Sequence, residues 1–115
     1  MMMRHLLLLT LLLLTACSDP ETFGTLDGPS QKVTVGDVLE SKETQTVLLE
    51  GTISKECPSG CWFYAQDESG EVRVELAGTG ITLPQRVGSK VTVRGDVSVD
   101  DDGVVQILGT GVRIH

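Results

Sequence analysis

Histidine is almost absent from this chain of 115 residues, which contains only His5 and His115. Hydrolases with a serine or cysteine nucleophile need a histidine as the neighbouring base. Zinc sites also commonly include histidine ligands. His5 lies in an N-terminal segment that we expect to be removed, which leaves one histidine. We therefore expect a protein that is not an enzyme and that uses no metal and no cofactor.

Positive charge is scarce as well. The chain has nine Lys and Arg against 16 Asp and Glu, and its net charge is −7. General binding to nucleic acid depends on Lys and Arg side chains that neutralise phosphates. This balance therefore disfavours nucleic acid as a partner, and it disfavours adhesion to anionic lipid by charge alone.

The first sixteen residues have the pattern of a secretory signal peptide. Arg4 gives a positive start, and Leu6 to Leu14 is an apolar run broken only by Thr10. This run is too short for a transmembrane helix, which needs about 20 residues. We therefore assign residues 1–16 to a signal peptide, with a transmembrane or core helix as the alternative.

The sequence Leu14-Thr15-Ala16-Cys17 at the end of this segment resembles the bacterial lipobox. The resemblance implies that Cys17 carries a diacylglycerol on its sulfur and becomes the first residue of the mature protein. The net charge is then −8, because Arg4 is lost. Several acyl chains give stable membrane attachment, and Ser18 after the cysteine favours the outer membrane. The sequence thus predicts a lipid-anchored protein of the cell envelope, on the periplasmic side of the outer membrane.

Export decides how the other two cysteines are interpreted. With Cys17 lipidated, Cys57 and Cys61 remain as a pair in an oxidising compartment. If Pro58-Ser59-Gly60 is a hairpin loop, the two residues face each other with Cα atoms about 4.5–5.5 Å apart, which suits a disulfide. We predict a structural disulfide, and a redox-active dithiol or a metal site is the alternative. Redox dithiols usually have the shorter Cys-x-x-Cys spacing at a helix start, and no further metal ligand is visible nearby.

The mature chain divides into a tether and one small domain. Residues 17–32 comprise the lipidated Cys17 and a stretch rich in Asp, Gly, Pro, Ser and Thr, which is typical of a flexible linker. Residues 33–115 form the domain. The stretch "VTVGDVLE" at its start predicts a short strand followed by a turn of helix.

Strand patterns dominate the rest of the domain, and no long amphipathic helix pattern appears. Alternating apolar residues, separated by turn residues, predict five strands at Thr46 to Lys55, Cys61 to Gln66, Glu71 to Leu76, Lys90 to Val99 and Val104 to Ile114. Gly51 and Gly95 occupy inward positions within two of these strands. Such glycines are typical of the sharp coiling of a small barrel.

The order and spacing of these strands resemble the OB-fold over roughly residues 46 to 114. Two patterns carry the resemblance, and their residues are Asp67, Gly70, Val72 and Val74 in the first and Val91, Val93, Gly95 and Val97 in the second. The chain is similar to OB domains classed as nucleic-acid binding and to exported bacterial OB-fold proteins of unknown or stress-related role. The resemblance implies an all-β, five-stranded Greek-key barrel. It indicates an architecture rather than an activity.

The predicted register places aromatic and charged residues on the outside of the second and third strands. The expected pairs across the two hairpins are Glu56–Trp62, Ser54–Tyr64, Trp62–Glu75 and Tyr64–Arg73. OB-folds commonly bind on this face, where aromatic side chains stack on bases or sugars. The candidate ligand-binding residues are therefore Glu56, Trp62, Tyr64, Arg73 and Glu75.

The charges on this face indicate which class of partner it would bind. An acidic rim around a tryptophan suits a cationic partner, through cation–π attraction and Coulomb steering. We expect a non-catalytic binding module whose partner is an envelope protein or a small, cationic ligand. A module for single-stranded nucleic acid or oligosaccharide is the alternative, and a thiol-disulfide or metal-handling protein is a more distant one. A purely structural role also stays open, in which Trp62 covers the disulfide and Tyr64 packs with Arg73.

Overall fold

Five long strands and one short helix account for most of the computed structural model, which describes residues 19–115. The predicted signal peptide and Cys17 lie outside the described residues. The elements are β1 (Glu21–Gly24), β2 (Gln31–Lys32), α1 (Val35–Ser41), β3 (Thr46–Glu56), β4 (Trp62–Asp67), β5 (Gly70–Glu75), β6 (Lys90–Val99) and β7 (Val105–Ile114). Within residues 19–115, no helix has the length and apolar character needed to cross a bilayer.

Strands β3 to β7 close into a barrel. Strand β3 pairs with β4 on one side and with β6 on the other, and β4 pairs with β5. Strand β5 lies parallel to β7, which returns antiparallel to β6 and completes the circle. The predicted all-β class and the five predicted strands are confirmed, with strand ends that differ by one residue at most.

The core fills the inside of this barrel. Along most of each long strand, buried residues alternate with half-buried or exposed ones, because successive side chains point to opposite faces. Leu49, Phe63 and Ile107 are among the largest side chains that are completely buried. No charged or polar side chain is buried in the described part of the chain, so hydrophobic burial is the main stabilising contribution.

Two glycines permit the close strand approaches that the barrel requires. A Cβ atom on Gly51 would lie 2.7 Å from the carbonyl oxygen of Gln66 in β4. A Cβ atom on Gly95 would overlap the carbonyl oxygen of Leu108 in β7, at the point where the β6–β7 register shifts. The neighbouring backbone therefore leaves no room for a larger residue at either position.

The N-terminal segment is more structured than its composition indicates. The structure places residues 21–24 and 31–32 in strands, although their composition predicts a flexible tether. Strand β1 pairs with residues 111–114 of β7, beyond the short stretch of β7 that pairs with β5. An unpaired strand edge is open to a further strand, and β1 occupies it. The folded part therefore begins at Glu21 rather than at residue 33.

Helix α1 closes one end of the barrel, against the β4–β5 turn. Thr34 caps it through a capping box with Asp37. The helix buries Val35 and Val38 against the core. The sequence predicted only a turn of helix at this position, because seven residues form a weak periodic signal.

The turn between β4 and β5 contributes a second cap to this helix. The Asp67 carboxylate accepts hydrogen bonds from the backbone amides of Val35, Ser69 and Gly70 and from the Ser69 hydroxyl. The Ser69 hydroxyl in turn accepts one from the Gly36 amide. Partial burial alone would raise the pKa of Asp67, but the hydrogen bonds from Ser69, Val35 and Gly70 outweigh it and the pKa is lowered from 3.8.

Asp67→Asn should lower the free energy of unfolding at neutral pH by about 1 kcal/mol, the usual contribution of a capping carboxylate. Because the pKa of Asp67 is lowered in the folded protein, its charge stabilises the fold above pH 3.8 and loses this effect as the pH falls through the folded-state value. In urea unfolding from pH 7 to pH 2.5, the free energies of unfolding of the parent protein and of Asp67→Asn should converge as the pH falls. Glu68→Gln, in the same exposed turn, is the matched control and should leave stability unchanged at every pH. A difference for Asp67→Asn that grows in acid would contradict this account.

Candidate binding surface

The β4–β5 hairpin has the register that the sequence predicted. Trp62 pairs with Glu75 and Tyr64 pairs with Arg73, as the Asp67–Gly70 turn requires. The alternate residues of both strands, such as Phe63, are buried. Trp62 and Tyr64 therefore lie half-buried on the outside of the barrel, where they were expected.

The β3–β4 hairpin departs from the predicted register. Ile53 pairs with Ala65, but a register shift follows, and Lys55 then pairs with Tyr64. The predicted pairs Glu56–Trp62 and Ser54–Tyr64 are therefore wrong. The cause is one extra residue in β3 around Ser54, a β-bulge that a regular alternation cannot reveal. Its consequence is that Lys55 is carried beside the aromatic residues.

Each of the two aromatic rings has a cation of the chain over it. The guanidinium carbon of Arg73 lies 4.8 Å from the Trp62 ring centroid. The Lys55 ammonium lies 5.0 Å from the Tyr64 ring centroid. The two rings meet edge to face, with centroids 5.7 Å apart and planes at 86°, an arrangement that aromatic quadrupoles favour. We call the surface formed by Lys55, Trp62, Tyr64, Arg73 and Glu75 the aromatic face.

Carboxylates hold both cations in place. Arg73 donates to Glu75 Oε1 from its Nη2 at 2.8 Å and from its Nε at 3.2 Å. The hydrogen bond with Glu75 raises the pKa of Arg73 further above its already high value. Partial burial would raise the pKa of Glu75, but hydrogen bonds from Arg73 and the Ala77 amide outweigh it and the pKa falls below 4.5. The pair is therefore fully ionised at neutral pH.

The second cation has a similar arrangement with a more exposed carboxylate. Lys55 Nζ lies 3.4 Å from Glu71 Oε1, and the Ser54 hydroxyl donates to Glu71 Oε2 at 2.5 Å. The hydrogen bond from Ser54 lowers the pKa of Glu71, and Lys55 adds to this effect. Neither Lys55 nor Glu71 belonged to the predicted site. The bulge at Ser54 brings Lys55 there, and no sequence pattern signals this bulge.

This arrangement changes what the aromatic face can bind. A cationic ligand must compete with Arg73 and Lys55 for the ring faces that they cover. Exposed cation–π contacts and surface ion pairs are worth at most about 1 kcal/mol each. Displacing Arg73 or Lys55 from its ring therefore costs little free energy, but the aromatic face has no vacant site for a cation. Its surface instead consists of alternating basic and acidic side chains, with the two aromatic rings between them.

Glu56 is the one predicted site residue that the structure separates from the others. Its carboxylate accepts hydrogen bonds from the backbone amides of Arg86 and Val87, at 2.9 and 3.1 Å. The register shift moves Glu56 out of line with Trp62, towards the loop before β6. Its role is therefore to hold this loop, and Lys55 takes its place beside the aromatic residues.

The hairpin tip before Trp62 contains the two cysteines. Their sulfur atoms are at disulfide distance, and their Cα atoms are 5.7 Å apart. Cys57 is buried, and its backbone amide donates to Trp62 O at 3.0 Å. Gly60 has a φ of +76°, a left-handed conformation that glycine adopts without strain. The Ser59 hydroxyl lies 3.1 Å from Cys57 Sγ.

The same hairpin tip is fixed to the long loop before β6. Gly60 O accepts a hydrogen bond from the Leu83 amide at 3.2 Å. Gln85 Nε2 donates to Pro58 O at 3.3 Å. Leu83 itself is buried in the core. A cross-link between Cys57 and Cys61 would therefore hold Trp62 and this loop in one rigid unit.

Metal chemistry has no visible basis in the described part of the chain. No group of three or more His, Cys, Asp or Glu side chains there is arranged to hold a metal ion. The two sulfurs alone are too few ligands for a zinc site, which takes four.

Comparison with known proteins reveals a shared fold. No family model and no curated protein matches the chain. Among solved structures, it is similar to the hypothetical protein YgiW from E. coli, with a TM-score of 0.56 and 22% identity over 81% of this chain and 100% of the other. It is also similar to the Stn1–Ten1 complex of S. pombe, with a TM-score of 0.53 and 14% identity over 70% of this chain and 73% of the other. This chain is an OB-fold protein. At these identities the likeness concerns the fold alone.

Replacing both Cys57 and Cys61 by alanine should lower the free energy of unfolding by about 2 kcal/mol, the loop-entropy value for so short a ring. Urea unfolding of the variant and of the unreduced protein measures the difference. Treatment with a reductant should lower the free energy of unfolding of the parent protein by the same amount and leave that of the variant unchanged. Two free thiols at these positions in protein purified from an oxidising compartment would refute the disulfide.

Trp62 is the only tryptophan, so its fluorescence reports on the aromatic face directly. Glu75→Gln should release Arg73 from the ring and shift the emission maximum to longer wavelength, while stability changes by no more than about 1 kcal/mol. In the parent protein the same shift should occur on acidification with a midpoint below 4.5, because the pKa of Glu75 is lowered. Glu50→Gln, an exposed change elsewhere on β3, should leave the emission unchanged. A midpoint at or above 4.5 would contradict the ion pair.

Proposed function

We propose that this chain is a lipid-anchored binding module of the bacterial cell envelope, which holds a protein partner on the aromatic face and catalyses no reaction. The observation that carries the proposal is the aromatic face itself. It is an ordered array of two aromatic side chains and two cations on the outer surface of a rigid hairpin.

The composition of this face supports a role in binding. Tryptophan, tyrosine and arginine are the residues that most often dominate the energy of protein interfaces. Trp62 and Tyr64 are half-buried, and the Arg73 side chain is 35% exposed. Their positions are already fixed by ion pairs and strand pairing. A partner would therefore lose little side-chain entropy on ordering them.

The charges favour a protein over nucleic acid. Each cation of the face is paired with a carboxylate, Lys55 with Glu71 and Arg73 with Glu75. A groove that follows a phosphate backbone needs unpaired positive charge, and the whole chain has a net charge of −7. Alternating charges around an aromatic centre instead suit a protein surface of complementary charge.

The location follows from the sequence of the N-terminal segment. The signal peptide pattern of residues 1–16 and the lipobox-like sequence at Cys17 support export and acylation. Ser18 supports the periplasmic side of the outer membrane. A module fixed there meets its partner within the envelope.

The test is affinity capture from an envelope extract by the purified protein, followed by a calorimetric titration of any captured partner, which does not depend on Trp62. Trp62→Ala should weaken binding by about 30-fold or more, the loss expected for a residue worth 2 kcal/mol at an interface centre. Its stability should be unchanged. Val104→Ala is the matched control, since Val104 is an exposed apolar residue that does not belong to the aromatic face.

Two results would overturn the proposal. One is equal binding of the partner by Trp62→Ala and by the parent protein, which would reduce the aromatic face to a structural role. The other is quenching of Trp62 by single-stranded oligonucleotides with a steep salt dependence, which would favour nucleic acid.

A further inference from the structure

The chain enters the barrel at one defined end. Asp19 and Glu21 line a polar cavity of about 400 Å³, together with Arg86, Ser89, Ile114 and His115. Glu21 is fixed there by an ion pair with Arg86, at 3.2 Å. We call the end of the barrel formed by Asp19, Glu21, Arg86, Val87, Lys90 and His115 the entry end.

The connection between the predicted lipidation site and this end is very short. Only Ser18 lies between Cys17 and Asp19, and two Cα–Cα steps span at most about 7.6 Å. The polar layer on each side of a bilayer is about 5–8 Å thick. A lipid on Cys17 would therefore hold Asp19 at the level of the headgroups or directly above them. A flexible tether of sixteen residues would let the barrel move freely relative to the membrane. The pairing of β1 with β7 removes this freedom.

We propose that the entry end rests on the membrane surface in a fixed orientation, with phospholipid headgroups as its partner. This inference rests on the lipid anchoring proposed above. It adds which side of the barrel faces the lipid and where the aromatic face lies relative to it.

The side chains of the entry end fit this contact. Val87 is 59% exposed, and its backbone is fixed by the hydrogen bond to Glu56. Arg86 and Lys90 flank it in sequence and are exposed. Arg86 neutralises Glu21 through their ion pair. One apolar side chain between cations suits the headgroup region, where apolar contact and charge attraction both contribute.

The opposite end of the barrel has the opposite character. Strand β6 leads from Lys90 at the entry end to Val99 at the far end. The turn after it contains Asp100, Asp101 and Asp102, all of them exposed. Anionic headgroups would repel this far end, whereas the two acidic residues of the entry end are balanced by Arg86 and Lys90. The charge distribution thus favours the same orientation as the short connection to Cys17.

The orientation has a consequence for the aromatic face. Trp62 is the first residue of β4, directly after the cysteine hairpin, and this hairpin contacts the loop at Leu83 and Gln85. Trp62 therefore adjoins the loop that leads to the entry end, whereas Arg73 pairs with Gln106 near the far end. The aromatic face thus runs along the side of the barrel between the two ends.

The test places a fluorescent reporter at each end of the acylated full-length protein. Val87→Trp and Val104→Trp are each made with Trp62→Phe, and the two valines are matched at 59% and 57% exposure. Each protein is reconstituted in phosphatidylethanolamine–phosphatidylglycerol vesicles that contain a lipid with a nitroxide quencher on its headgroup. The two sites are separated by the length of β6, roughly 30 Å, so the reporter from Val87→Trp should be quenched at least roughly threefold more strongly.

The outcomes separate the two proposals. A protein that fails to float with the vesicles, as Cys17→Ser should, would overturn the lipid anchoring, and the orientation with it. A protein that floats but shows equal quenching at both sites would overturn the orientation alone. Insertion of about ten Gly and Ser residues between Ser18 and Asp19 lengthens the connection by roughly 18 Å. This insertion should reduce the difference in quenching between the two reporter sites. If the difference in quenching persisted unchanged, the short connection to Cys17 would not be the cause of the orientation.

Discussion

A single carboxylate fixes the part of the structure on which the candidate site depends. Asp67 accepts hydrogen bonds from Ser69 and Gly70 in the β4–β5 turn and from Val35 at the start of α1. The turn sets the register of the hairpin, and a slip by one residue would exchange its buried and exposed faces. Phe63 would then lie outside and Trp62 inside. The same carboxylate attaches helix α1, which covers the barrel end. The core, the helix and the aromatic face therefore all depend on Asp67.

Charge pairing gives the aromatic face its character. Arg73 and Lys55 cover the two rings, and Glu75 and Glu71 hold these cations. Each contact is weak when exposed, but together they order a surface that would otherwise consist of mobile side chains. The face is thus prepared for a partner of mixed charge rather than left open for a free cation. It is also coupled to the cysteine hairpin, because Trp62 follows that hairpin directly.

The entry end and the aromatic face together form the proposed working surface. Glu56 links them, since it belongs to β3 and holds the loop that carries Arg86 and Val87. In the orientation that we propose, the lipid on Cys17 fixes the barrel at the membrane and the aromatic face is presented beside it. Anchoring then raises the effective concentration of the module toward any partner in the same membrane.

Short-range features were determined by the sequence alone. The alternation of apolar residues predicted five strands, and the Asp67–Gly70 turn predicted the pairs Trp62–Glu75 and Tyr64–Arg73, because period and turn chemistry act over a few residues. Tertiary structure decided the rest. Strand β1 forms because β5 leaves part of the β7 edge unpaired, and the bulge at Ser54 exchanges Glu56 for Lys55 beside the rings. Both depend on how strands distant in sequence meet around the closed barrel, and no local pattern encodes that.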